Sequence, residues 1–307
     1  MRFTRRRFLV SASAAAASVG VLSRVPAWAQ EPAAGNFTAL RGNIGVFDAP
    51  RSGGTIGWFI GKDAVIVIDS KGPVFARACI DGIASRTDRR IEVLINTHHH
   101  GDHTGGNAVF RKAVEKIVGH ENVPELQRKA AEESGTLDAQ EYAEVTYATE
   151  WSMDLGSETV SLKHLGPAHT GGDSIVHFEN ANLVHLGDLV FNRWCPFIDR
   201  DGGASVAGWI DTLERTIKAH DEETTFIFGH GKESFGITGS SEDLAVQRNY
   251  LEWLWETTAK GIAAGKTPEQ IASPGLPKAF SDHVELSERL GVLGNVKVAF
   301  AEQGGQG

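Results

Sequence analysis

Only two cysteines, Cys79 and Cys195, occur in the 307 residues, so a disulfide-stapled scaffold and a CxxC metal site are both excluded. Beyond the first 30 residues no stretch approaches the roughly 20 consecutive apolar residues of a spanning helix, so no membrane span is expected. Internal repeats, linkers and a glycine-rich dinucleotide loop are also missing, and one large domain suffices for residues 30–307. With 41% hydrophobic and 22% charged residues, the chain is not wholly disordered, collagenous or a coiled coil. Positive charge is scarce: the formal net charge is −9, and residues 1–29 hold five arginines and no acid, so their removal takes it to −14. A body that acidic has no general attraction for phosphate backbones or anionic lipid, so no nucleic-acid partner is expected.

The five arginines belong to an address. Arg5, Arg6 and Arg7 precede an uncharged run rich in alanine and serine, and Ala27-Trp28-Ala29 is a small-x-small cleavage signal. Residues 1–29 therefore read as a signal peptide cleaved near Ala29, with a periplasmic destination. Thr4-Arg5-Arg6-Arg7-Phe8-Leu9 resembles the twin-arginine motif, which makes the Tat machinery a partner of the precursor; a Sec signal with surplus arginines is the alternative.

Apolar runs predict strands over 56–60, 65–68, 91–95, 145–149, 159–165, 174–178, 183–186 and 225–228, with 56–60/65–68 and 174–178/183–186 as hairpins. The 65–68 strand does not alternate, which predicts burial on both faces. Helical spacing covers 75–83, 123–134 and 205–220, and helices dominate from about 240 to 307. Strands interspersed with helices in both halves imply two sheets covered by helices.

Four histidines and a carboxylate fall within six positions, His98-His99-His100-Gly101-Asp102-His103, just past a buried strand. Such density is hard to explain as packing, because the groups would repel or desolvate one another without a cation. His98 and His100 can face one metal while Asp102 and His103 face a second. Three later segments each place a further ligand type after a strand: His169 in Gly166-Pro167-Ala168-His169-Thr170-Gly171-Gly172, Asp188 after Gly187, and His230 between Gly229 and Gly231. Each alone reads equally well as a turn; their succession does not.

H-x-H-x-D-H, then G-x-x-H-T-G, then Gly-Asp, then Gly-His-Gly, resembles the metallo-β-lactamase superfamily across residues 37–235. The resemblance implies an α/β fold, an αββα sandwich with the metals at the edge between its sheets. It implies two zinc ions per chain, iron or manganese being the alternative metals. His98, His100 and His169 would hold the first, Asp102, His103 and His230 the second, and Asp188 would bridge them. Asp69 would lie beneath the site and orient a ligand histidine, or else is a strand-end turn residue. His99 is expected to point away, His164, His177 and His185 to pack on or beside strands, and His120, His220 and His283 to lie on the surface.

Two zinc ions about 3.5–4 Å apart lower the pKa of a bridging water and polarise a carbonyl, so the resemblance implies a metal-dependent hydrolase acting on a small ester, lactone, thioester or lactam. Asp102 would orient the hydroxide and take its proton. The β-lactam-cleaving branches generally carry cysteine or a non-ligating residue where Asp188 stands, which leaves a β-lactamase proper as an alternative. An iron-dependent redox enzyme resembling the sulfur dioxygenases is the alternative from another class. Substrate contacts are expected from Arg51 in a glycine-containing lid at residues 48–55, from Trp58, and from Trp194 and Cys195; for Trp58 and Cys195, packing in the core is the competing expectation.

Overall fold

The computed structural model describes residues 35–49 and 53–305. The signal segment, with Arg5, Arg6 and Ala29, lies outside the described residues, as does Arg51. Alternate residues of the run at 65–68 decide the layering. Val65 and Val67 enter one apolar cluster with Ala76, Cys79 and Ile83, while Ile66 and Ile68 enter another with Val160, Leu162, Val176 and Phe178. A strand apolar on both faces must be covered on both, and burial of each such side chain contributes about 1.5–3 kcal/mol.

Strands β1 (Asn36–Arg41), β2 (Ile44–Asp48), β3 (Ile56–Ile60), β4 (Val65–Ile68), β5 (Ile91–Ile95), β6 (Val114–His120) and β7 (Val145–Tyr147) form a sheet of seven in chain order. β1 to β4 pair antiparallel and β4 to β7 parallel. The second sheet holds β8 (Glu150–Asp154), β9 (Thr159–Lys163), β10 (Ile175–Phe178), β11 (Leu183–His185), β13 (Thr225–Ile227) and β15 (Thr238–Gly239), in the order β15-β13-β11-β10-β9-β8. Between its later strands, β12 (Phe191–Asn192) pairs with β14 (His230–Gly231).

Helix α1 (Pro73–Ala84) covers the outer face of the first sheet; the short helix α2 (Gly101–Thr104) carries Asp102 and His103 of the histidine cluster, and α3 (Asn107–Phe110) follows it. α4 (Asn122–Ser134) follows β6. α5 (Val206–Ala219) and α6 (Ser241–Ala263) cover the second sheet through Trp209, Leu213, Leu244, Leu251 and Leu254, packed against Val184, Phe226 and Phe228. α7 (Pro268–Ala272) and α8 (Val292–Glu302) complete that layer. The order is helices, sheet, sheet, helices: an αββα sandwich. Among the described residues no helix is long and apolar enough to cross a membrane.

The sandwich gathers strand ends. Asp69 follows β4, His98 follows β5, and Asp188 follows β11 by way of a turn in which Gly187 has a φ of +50°. A Cβ on Gly187 would stand 2.6 Å from Thr97 Oγ1, so only glycine fits where the two sheets' ligand loops meet.

Candidate metal centre

Four segments bring their side chains together at this edge. His98 Nε2 and His169 Nε2 each lie 3.0 Å from His100 Nδ1. Asp188 Oδ2 faces the group at 3.7 Å from His98 Nε2 and 3.6 Å from His169 Nε2. The same Oδ2 lies 3.2 Å from His230 Nε2, which is 3.1 Å from Asp102 Oδ2, while His103 Nε2 is 3.1 Å from Asp188 Oδ1. Asp188 therefore stands between two ligand groups, His98/His100/His169 and Asp102/His103/His230, the residues named by motif position.

The fit to metal rests on three observations. Zinc–nitrogen bonds of about 2.0–2.1 Å in a tetrahedron put neighbouring ligand atoms roughly 3.3 Å apart, close to the spacing of these ring nitrogens. His103 Nε2 and Asp188 Oδ1 are both buried and 3.1 Å apart, and neither makes a well-formed hydrogen bond to any other group, so both atoms are left to a shared partner at the centre. The nitrogens turned away from the centre are anchored. His169 Nδ1 donates to the Phe197 carbonyl at 2.8 Å, His100 Nε2 faces Asp199 Oδ2 at 2.9 Å, His103 Nδ1 faces Asp69 Oδ2 at 2.7 Å, and His98 Nδ1 meets Thr97 Oγ1 at 3.1 Å. Such outer partners fix tautomer and ring angle for a metal-binding nitrogen.

Electrostatics divides the two groups. Burial, reinforced by the neighbouring imidazoles, holds His98 well below the usual histidine range and His169 down to about 3, so both are neutral donors. Burial also disfavours charge on His103 and His230. The carboxylates of Asp188 and Asp102 overcome it, raising His103 well above its usual range and His230 to about 9. Burial likewise opposes ionisation of Asp188 and Asp102, but the same imidazolium groups keep both carboxylates low. Protons on His103 and His230 thus occupy the place of positive charge that a divalent cation fills more completely.

Asp69 accepts from the Thr97 backbone N–H at 2.8 Å and its hydroxyl at 2.7 Å as well as facing His103, so the strand-end acid is the post behind a ligand. Asp199 and Thr97 escaped sequence reasoning. Thr97 had the signal of lying inside the motif; Asp199 sits in an irregular loop with none. His99 does turn from the ligand groups, toward Asp199 Oδ2 at 3.2 Å. Of the histidines expected at the surface, His120 and His283 are buried, a correction with an aromatic cause. His120 stacks on His164 at 3.9 Å, and His283 lies against Tyr250 at 5.2 Å.

The substrate-lining expectations divide. Trp194 is half-buried and stacks on His230 at 5.3 Å, beside the second group. Trp58 is corrected to a core residue: it is buried against Phe37 and Phe47 in the cluster beneath α1. Cys195 is corrected likewise, since it is fully buried with its thiol pushed up to about 11 by burial. Both cysteines are free. Of the loop at 48–55, Gly53 and Gly54 lie against Asp102 and His103, and the buried Lys71 ammonium donates to the Gly54 carbonyl. Thr55 Oγ1 donates to Gly229 O at 2.9 Å. This part of the loop is a clasp across the ligand segments of both sheets.

The metallo-beta-lactamase superfamily pattern matches residues 50–230, more than half of the chain. A hydroxyacylglutathione hydrolase of Cereibacter sphaeroides is 30% identical over 44% of this chain and 46% of its own length, so the match spans less than half of that enzyme. One from Hyphomonas neptunium is 25% identical over 71% of this chain and 80% of its own. Among solved structures, a metallo-beta-lactamase from Pontibacter korlensis superposes with a TM-score of 0.59 at 18% identity, over 71% of this chain and 99% of that one. The chain therefore belongs to the metallo-beta-lactamase superfamily, and its described residues include His and Asp clusters that could hold metal ions.

Proposed function

We propose that the protein is a dinuclear metal hydrolase cleaving a small ester, thioester or lactone, with zinc as its metal. The observation that carries the reading is Asp188, whose single carboxylate faces both ligand groups at 3.1–3.7 Å. Two divalent cations held there would supply a water deprotonated at neutral pH and a Lewis acid for the carbonyl oxygen.

The chain's own residues do the rest. His98, His100 and His169 present nitrogens in an anchored triad, and Asp188 holds a fixed negative charge between the two groups. Asp102 is the most open of the acids, with 38% of its side chain exposed, and its Oδ2 is 3.1 Å from His230. It is placed to orient the attacking water and to carry its proton toward solvent. Trp194 and Phe191 flank His230 and keep bulk water from that side.

A thioester is supported by relatives that are hydroxyacylglutathione hydrolases, among them those of Cereibacter sphaeroides and Hyphomonas neptunium. Seven ligand positions in two groups favour this reading over a mononuclear iron redox enzyme, and an aspartate at position 188 favours it over a β-lactamase proper. A periplasmic location after twin-arginine export completes the proposal; Arg5, Arg6 and the cleavage signal at Ala27-Trp28-Ala29 support it. Elemental analysis of purified protein together with hydrolysis assays on lactones, thioesters, esters and β-lactams tests the reading. About two zincs and turnover of an ester-like class are expected; iron with oxygen consumption would overturn it.

A further inference from the structure

His185 closes a circuit of hydrogen bonds at the metal edge. It is the last residue of β11 and shares a face with Leu183, which packs between the two sheets, while Val184 faces the helices. A leucine would serve packing at 185, and burying an imidazole there is unfavourable unless its nitrogens are paired. Both are paired. The Gly187 backbone N–H donates to His185 Nδ1 at 3.1 Å, and His185 Nε2 faces the Thr55 carbonyl at 3.3 Å. Thr55 Oγ1 donates to Gly229 O at 2.9 Å, and the Gly229 N–H donates to Gly187 O at 2.7 Å, which completes the circuit.

The circuit admits one tautomer. A backbone N–H can only donate, so Nδ1 is the acceptor and the ring hydrogen sits on Nε2, from which it is donated to Thr55 O. Burial holds the imidazole down to about 4, which keeps it neutral in that form. Room for the ring comes from the first sheet, where a Cβ on Gly57 of β3 would stand 2.9 Å from His185 Cδ2. Each of the three segments joined leads to the metal centre. Gly187 precedes Asp188, Gly229 precedes His230, and Gly54 beside Thr55 lies against Asp102 and His103. A Cβ on Gly229 would collide with Asp188 Oδ1, so the carboxylate leans directly on that backbone. A shift at Gly187 or Gly229 therefore moves Asp188, and a shift at Gly229 moves His230 as well.

We propose that His185 is a positioning residue for the bridging carboxylate: through this circuit it fixes where Asp188 and His230 stand relative to the first triad. Its own hydrogen bonds go to backbone, not to any ligand position. The inference deepens the dinuclear reading and rests on it for the metal measurement, whereas the circuit itself is tested on metal-free protein.

Three variants divide the circuit. His185→Asn puts an amide oxygen near the place of Nδ1, keeps the bond from Gly187 and loses Thr55. His185→Gln reaches the Thr55 carbonyl with its amide N–H and leaves the Gly187 N–H unpaired, and His185→Leu loses both bonds. Zinc uptake is measured by competition with a chromogenic chelator, and amide exchange at Gly187 and Gly229 by NMR on chelator-stripped protein. Outer partners of a metal site are worth about tenfold or more in affinity. His185→Leu and His185→Gln should weaken the second equivalent by about that factor and the first by less, because only the second depends on both Asp188 and His230. His185→Asn should recover most of the loss, and exchange at Gly187 should be faster in the Leu and Gln variants than in the Asn variant. Parallel weakening of both equivalents with a fall in Tm would make His185 a packing residue and overturn the proposal, as would wild-type affinities in His185→Leu. Should that variant fail to fold, the Asn and Gln variants decide, and equal behaviour of the two overturns the proposal. If the wild type takes up a single equivalent, the dinuclear reading fails and exchange decides the circuit: equal rates in every variant overturn it, and faster exchange in Gln than in Asn upholds it.

Discussion

Changing Asp199 to asparagine isolates the contribution of a residue that touches no metal position. Its carboxylate faces His100 Nε2 at 2.9 Å and His99 Nε2 at 3.2 Å, and accepts from the Gly202 N–H at 3.1 Å. Asparagine keeps the shape and one acceptor oxygen. It loses the charge that the two imidazoles hold low, and it turns an N–H₂ toward one of the rings. His100 then no longer presents Nδ1 with a fixed tautomer and ring angle. Outer partners of metal-binding histidines are worth about 10–100-fold in metal affinity, or about 1.4–2.8 kcal/mol. Zinc affinity measured by competition with a chromogenic chelator should fall by that factor for one equivalent, held by His98, His100 and His169. The equivalent held by Asp102, His103 and His230 should change little. Wild-type affinity for both equivalents would refute the role assigned to Asp199.

Other outcomes follow from the same geometry. His100→Ala removes the nitrogen that both other members of the triad approach at 3.0 Å, so it should strip one metal and lower turnover by more than about 100-fold, checked by elemental analysis beside kinetics. Gly54→Ala places a Cβ 2.4 Å from the Asp102 carbonyl oxygen and 3.2 Å from the His103 ring at a φ of +45°, so occupancy of the second group, read by elemental analysis, should fall before that of the first. Lysine at both Arg5 and Arg6 should leave active precursor in the cytoplasm; undisturbed periplasmic delivery would point to the Sec route. His283 is held down to about 4 by burial and by Arg193, so it favours the folded state above pH 6.5 and loses that contribution as pH falls from 6.5 through 4. His283→Phe should reduce the acid-induced loss of stability by about 3 kcal/mol at pH 4, read as a smaller fall in Tm between pH 7 and pH 4, and equal Tm-against-pH curves for the two proteins would contradict this.

The convergence of these histidines and aspartates was legible because metal chemistry restricts both residue type and spacing, and because each follows a strand whose apolar run is itself conspicuous. The hairpin at 56–68, the hairpin at 175–185 and the helix at 206–219 were legible from periodicity for a similar reason. β8 was not: Glu150, Ser152 and Asp154 face out while Trp151 and Met153 face in, and an edge strand of such mixed composition has no apolar run. β6 was hidden by Glu115 and Lys116 at its start. The burial of His120 and His283 and the core position of Trp58 depend on which aromatic rings the fold brings alongside them. The circuit through His185 is still less local, for it joins Thr55, Gly187 and Gly229 from distant segments, where no spacing rule operates.

The most direct measurement is anomalous diffraction recorded on either side of the zinc absorption edge from crystals of the purified protein. Two zinc peaks about 3.5–4 Å apart are expected, one within His98, His100 and His169, the other within Asp102, His103 and His230, with the Asp188 carboxylate between them. A single peak, or peaks present only at the iron edge, would contradict the dinuclear zinc centre.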